Sequence, residues 1–136
     1  MTTAAFARDV ESLAGIVAMT ADFFSRHAIP AGLRQAVDLC LEELFVNMVR
    51  YNTETDRPIE IELRAVDGGV TATLTDHDVE RFDPARISAV DIHAPIEERE
   101  PGGLGLYLVF KMADSVHYEY RARTSKITFV IEGKQA

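Results

Sequence analysis

Two short segments of this chain carry residue types that could do chemistry. Glu43-Leu44-Phe45-Val46-Asn47 lies inside a helical stretch, and Gly102-Gly103-Leu104-Gly105-Leu106 opens a later apolar one. An acid and an amide one helical turn apart can hold a magnesium ion and activate a nucleophile. Residues four apart lie within roughly 40° of each other around a helix, so Glu43 and Asn47 share a face while Glu42 points elsewhere. The same spacing also suits a merely solvated polar row. The three glycines of the second segment are costly in chain entropy and offer little packing. Two readings fit them: a tight loop-to-helix junction, or bare N–H groups at the positive end of a helix that receive phosphate oxygens.

The elements that must position these segments are legible from periodicity. Val10, Leu13, Val17, Ala21 and Phe24 recur at three- and four-residue steps and predict a first amphipathic helix ending near His27. After the break at Ile29-Pro30-Ala31-Gly32, a second helix is expected from about Ala31 to Tyr51, its apolar stripe carrying Leu33, Val37, Leu41, Leu44 and Met48. Glu43 and Asn47 border that stripe. Ile59 to Ala65 and Val70 to Leu74 alternate apolar with polar residues around Asp67-Gly68, a hairpin signature. The stretch Asp76 to Pro101 has little regular pattern; a segment of that length in a small domain is usually functional or disordered. Gly103 to Ala113 reads as a mostly apolar, buried helix. Val116, Tyr118 and Tyr120, then Ile127, Phe129 and Ile131, alternate as two last strands around a turn at Arg121 to Ser125. Cleanly alternating strands are packed on one face. The expected class is α+β: a two-layer sandwich with a mainly antiparallel mixed sheet covered by helices on one face.

Bulk properties narrow the function. At 136 residues one domain over 1–136 is expected. The formal net charge of −8 argues against nucleic-acid binding, which favours a basic face. The single cysteine, Cys40, excludes an internal disulfide and fits a reducing cytoplasm. Arg8, Asp9 and Glu11 interrupt any signal-peptide pattern, and no run approaches the roughly 20 apolar residues that span a bilayer. The histidines, His27, His77, His93 and His117, are not paired at metal-ligand spacing, so a zinc site is not expected.

Glu43-x-x-x-Asn47 in a helix, Asp76 after the following hairpin, a variable loop and then Gly-Gly-Leu-Gly-Leu resemble the GHKL-type (histidine kinase-like) ATPase superfamily. Within it, Glu-Glu-Leu-Phe-Val-Asn-Met-Val-Arg-Tyr and Gly-Gly-Leu-Gly-Leu-Tyr-Leu-Val-Phe-Lys-Met-Ala-Asp look most like the stand-alone anti-sigma-factor serine kinases of bacteria. The resemblance runs from the first helix to the last strand. It implies ATP and Mg²⁺ as ligands, with Asn47 on the metal and Glu43 positioning or deprotonating the attacking hydroxyl. Asp76 would accept from the adenine amino group, and Gly102, Gly103, Leu104, Gly105 and Leu106 would hold the phosphates. Residues 83–101 would form the ATP lid, with Arg99 the only lid residue considered for a phosphate contact. The implied partners are an anti-sigma factor antagonist, phosphorylated on serine, and a sigma factor bound in the other state. Neither nucleic acid nor membrane is expected as a partner, and relatives of this type often dimerise.

Two departures from the family pattern stand out. Asp78 occupies the place of a glycine that lets adenine approach the backbone, adding a side chain and a negative charge. Arg121-Ala122-Arg123-Thr124-Ser125 stands where relatives have a glycine-rich turn. The rival expectation is therefore a non-catalytic partner-binding module of the same fold, with nucleotide binding weakened or lost at Asp78. The ATPase domain of a two-component histidine kinase fits less well, because no His-Glu phosphoacceptor helix precedes the domain.

Overall fold

The computed structural model describes residues 1–81 and 103–133. From the N-terminus the chain forms β1 (Thr2–Phe6), α1 (Leu13–Arg26), α2 (Arg34–Tyr51), β2 (Ile59–Val66) and β3 (Gly69–His77). After residue 102 come α3 (Gly103–Met112), β4 (Ser115–Arg121) and β5 (Thr124–Glu132). Short 3-10 turns at Val10–Ser12 and Ala31–Leu33 lead into α1 and α2. The strands make one sheet in the order β1-β2-β3-β5-β4, every pairing antiparallel. The α+β sandwich is as expected, with the mixed element of the expected sheet absent among the described residues.

Alternation in the strands decides the layers. Ile59, Ile61 and Leu63 of β2, Val70, Ala72 and Leu74 of β3, and Ile127, Phe129 and Ile131 of β5 point into one core. The intervening residues, Thr71, Thr73, Thr75 and Thr128 among them, lie on the opposite, partly solvated face, where the Thr73 and Thr128 hydroxyls are 3.1 Å apart. Burial of each large apolar side chain contributes about 1.5–3 kcal/mol, so the register is strongly specified: a one-residue slip would invert both faces. The β2–β3 turn uses Asp67-Gly68, with only Gly68 in the left-handed region at φ +76°. Gly69 answers a different need. A Cβ there would sit 2.3 Å from the Ile131 carbonyl oxygen of β5.

α2 is the central helix, in contact with α1, α3 and β3. Its buried face, Val37, Cys40, Leu41, Leu44, Phe45, Asn47 and Met48, is broader than the expected stripe and includes an amide. α1 differs from expectation. Its buried row is Ile16, Thr20 and Phe23, while Val10 and Val17 are 53% and 44% exposed. Thr20 is admitted to the core because its hydroxyl donates to the Ile16 carbonyl one turn back at 3.0 Å. β1 was not anticipated: Thr-Thr-Ala-Ala-Phe has little hydrophobic contrast, and pairing with β2 gives it order. In the second half of α3 Val109 is buried but Phe110 is 49% exposed, so this half is less enclosed than its composition suggested. Among the described residues no helix is long and apolar enough to cross a membrane.

Candidate functional site

The candidate site draws on the C-terminal half of α2 and the end of β3, two elements in contact and joined by the Asn52–Asp76 bond. Glu43 is half-buried and Glu42 exposed, as helical geometry requires. Burial first, and the neighbouring Glu42 second, push the Glu43 carboxyl above the usual glutamate range, against the opposing pull of Arg50. A carboxylate raised in this way is a better proton acceptor. Cys40, on the same side one turn earlier, is fully buried. Burial and then Glu43 raise its thiol to about 11, so it is packing rather than a nucleophile.

Asn47 is not a solvated polar residue. It is only 5% exposed, and its side-chain oxygen Oδ1 is buried with no hydrogen-bond partner among the described residues. A buried unsatisfied carbonyl costs about 1–3 kcal/mol, a cost that is offset when the oxygen acquires a donor or a cation. The donor chemistry suits Mg²⁺, which takes oxygen ligands and draws most of its shell from phosphates and water. Among the described residues no cluster of three His, Cys, Asp or Glu side chains forms a metal cage.

Asp76, near the end of β3, is 0% exposed. Its carboxylate is held by two side chains that the sequence did not point to. Arg8, just after β1, donates from Nη1 to Oδ1 and from Nη2 to Oδ2 at 3.2 Å, and Asn52 donates from Nδ2 to Oδ2 at 2.7 Å. Arg8 also donates to the Met48 carbonyl at 2.8 Å and the Asn52 carbonyl at 3.1 Å. These are carbonyls of the last turn and cap of α2: Met48 also accepts the Asn52 amide at 3.0 Å, and the negative end of the helix dipole favours a cation there. One guanidinium thus fastens β1, the end of α2 and β3 together. The only local hint in the sequence was a cation directly after the apolar Ala-Ala-Phe-Ala run.

The two departures in the sequence turn out to be one structural feature. Asp78 adopts φ +60°, in the left-handed region that a glycine would take freely and that Asp tolerates better than most residues. Its carboxylate accepts from Arg123 Nε at 2.9 Å, and this ion pair is solvent-exposed. Ala122 and Arg123, at φ 51° and 59°, make the two-residue turn between β4 and β5 with both residues left-handed, the backbone of a type I′ turn. The chain leaving β3 is tied to this turn by the Val79 amide on the Arg123 carbonyl at 2.9 Å, and to β4 by the Tyr120 hydroxyl on the Val79 carbonyl at 2.8 Å.

The glycine segment is described in part. α3 begins at Gly103 and packs on α2. Gly103, Leu104, Gly105 and Leu106 form its first turn, while Gly102 and the expected lid at 83–101 lie outside the described residues. The start of α3, Asn47 and Glu43 on α2, and Asp76 on β3 therefore belong to three contiguous elements.

A family model for the histidine kinase-like ATPase domain matches residues 6–131. The chain belongs to that family. Solved structures that share the fold of this histidine kinase-like ATPase domain include the RsbU and RsbW domains of Rv1364c from Mycobacterium tuberculosis. That structure has a TM-score of 0.68 and 12% identity, covering 96% of this chain and 32% of that one. The Acinetobacter baumannii histidine kinase AdeS aligns with a TM-score of 0.52 and 16% identity, over 97% of this chain and 68% of that one. At such identities the likeness is one of fold. The chain spans about a third of the length of the M. tuberculosis chain. No curated protein sequence matches it.

Proposed function

We propose that this histidine kinase-like ATPase domain binds ATP with Mg²⁺ between α2, the end of β3 and the start of α3. It then transfers the γ-phosphate to a serine of a partner protein, an anti-sigma factor antagonist in a partner-switching pathway. The observation that carries this reading is Asn47: a buried amide oxygen without a partner among the described residues, one helical turn from a glutamate whose carboxyl is raised above its usual range. Asn47 Oδ1 would ligate the metal. When bound, Mg²⁺ supplies neutralisation of charge on the phosphate oxygens. Glu43 orients the serine hydroxyl and takes its proton as the serine oxygen bonds to the γ-phosphorus and the bond to the β-phosphate oxygen breaks. In such transfers positioning and electrostatics supply most of the rate. Backbone amides from Gly102 to Leu106 hold the phosphates at the start of α3, and Asp76 accepts from the adenine amino group. The substrate serine, the antagonist and the alternative sigma-factor partner rest on the family resemblance of the two motif segments.

Asp78 does not oppose this reading. Its carboxylate is turned to Arg123 at the surface, so its charge is balanced there. A second reading, a non-catalytic module that only binds partners, draws on Asp76, whose carboxylate is wholly buried and already accepts from Arg8 and Asn52. Phosphotransfer separates the two. Wild-type protein incubated with γ-labelled ATP, Mg²⁺ and a candidate antagonist should label the antagonist on serine. Glu43→Ala should abolish labelling with ATP binding largely kept. Absence of labelling in wild type, together with weak or absent ATP binding, would favour the module.

A further inference from the structure

The two donors on Asp76 differ in how firmly they are held. Arg8 is fixed on every side: besides the carboxylate it donates to the Met48, Asn52 and Arg57 carbonyls, and its side chain is only 8% exposed. Its departure would strip the Asn52 and Arg57 carbonyls of a donor and leave Met48 with only its helical partner, the Asn52 amide at 3.0 Å. Among the described residues, the Asn52 side chain is held through a single bond, Nδ2 to Asp76 Oδ2 at 2.7 Å, from the half-buried capping position of α2. Against a carboxylate only the NH₂ side of that amide can face inward. What Asn52 presents is a planar NH₂ on an sp² carbon donating into a carboxylate, the donor geometry of an adenine amino group.

We propose that Arg8 is a positioning residue that presents Asp76 as an acceptor for an amino-bearing base. Asn52 fills the place of that amino group in this structure and is displaced when the base binds. The inference rests on the reading of Asp76 as the base acceptor and deepens it. A carboxylate paired with a guanidinium accepts hydrogen bonds and donates none. A base with an amino group at that position matches it; a 6-oxo base such as hypoxanthine sets one lone pair against another. Arg8 in this way sets the choice between them, and Asn52 sets how much affinity is lost to competition from within the chain. Asn52 also explains how a fully buried carboxylate can serve a ligand: one side-chain rotation opens it, while Arg8 keeps it aimed.

Calorimetric affinities for MgATP and MgITP in wild type, Asn52→Ala and Arg8→Lys test the proposal. Removing the internal competitor should tighten MgATP binding by about tenfold, the worth of one charge-assisted hydrogen bond. Lysine retains the charge of Arg8 but not its planar fork, so Arg8→Lys should lower the ATP-to-ITP affinity ratio by about tenfold. A merely structural role would weaken both nucleotides equally and leave the ratio unchanged. Circular dichroism establishes that Arg8→Lys folds; if it does not, Asn52→Ala decides alone. Unchanged or weaker MgATP binding in Asn52→Ala overturns the proposal, as does a folded Arg8→Lys with the wild-type ratio. If wild type prefers ATP and the variants do not differ from it, only this inference fails. If neither wild type nor Asn52→Ala binds either nucleotide, the nucleotide reading fails with it.

Discussion

Replacing Arg8 with methionine should be among the most damaging single changes available outside the apolar core. The side chains of Arg8 and Asp76 are 8% and 0% exposed, so the pair is shielded from water. Methionine fills most of the space but supplies no donors. Asp76 would be left buried with Asn52 as its one remaining side-chain partner among the described residues, and the Met48 and Asn52 carbonyls would lose a cationic donor. Removing one member of a buried pair costs about 3–5 kcal/mol, against a total of about 5–15 kcal/mol for a typical domain. At roughly 3 °C per kcal/mol for a chain of this size, the melting temperature should fall by about 10–15 °C. Urea unfolding followed by far-UV circular dichroism measures the loss directly, with an unchanged m-value showing that the native state remains compact. Adding Asp76→Leu should restore stability to within about 2 kcal/mol of wild type, because a buried pair replaced wholly by apolar side chains is often close to neutral. A loss below about 1 kcal/mol in Arg8→Met, the size expected of a surface pair, would refute the reasoning.

Further predictions follow from the same geometry. Phosphotransfer should decline as pH is lowered through the Glu43 pKa, with its inflection above the ordinary glutamate range, and Glu43→Gln should abolish it at every pH. Folded Glu43 holds its proton more tightly than the unfolded chain does. Stability attributable to it is therefore greatest at low pH and lost as pH rises through the window between the unfolded and the raised folded value. Urea midpoints should show Glu43→Gln at least as stable as wild type at pH 7, without that slope. On α1, Ile16→Ala should cost about 2–4 kcal/mol and Val17→Ala within about 0.5 kcal/mol in the same melts, a contrast that tests which face is buried. Asp78→Gly should leave MgATP affinity within about twofold by calorimetry, because that side chain engages Arg123 at the surface and its backbone already adopts a glycine-like φ.

Regular elements were legible in the sequence where local pattern and tertiary packing agree. The β2–β3 and β4–β5 hairpins fall where alternation and turn residues placed them, and α2 covers nearly its expected span. α1 was legible as a helix but not in its orientation. It carries apolar residues on two sides, and the buried row passes through Thr20, a polar residue in any pattern until its hydroxyl is seen to bond the Ile16 carbonyl. β1 was invisible because its order comes from β2, more than fifty residues away. The candidate site divides the same way. Glu43 and Asn47 are readable because one helical turn links them, whereas Arg8 reaches Asp76 across 68 positions and Arg123 reaches Asp78 across 45. Contacts of that range leave no periodic trace, so the two departures from the family pattern read as unrelated, although Asp78 and Arg123 form a single ion pair.

Magnesium-dependent ATP binding tests the central claim most directly. Isothermal titration of wild type and Asn47→Ala with ATP, each with Mg²⁺ and with chelator, isolates the one buried amide oxygen on which the reading depends. The account predicts that wild type binds ATP more tightly with Mg²⁺ than without, and that Asn47→Ala abolishes the difference. Wild-type protein that gives no binding heat in either condition, or Asn47→Ala that retains the full magnesium dependence, would contradict it.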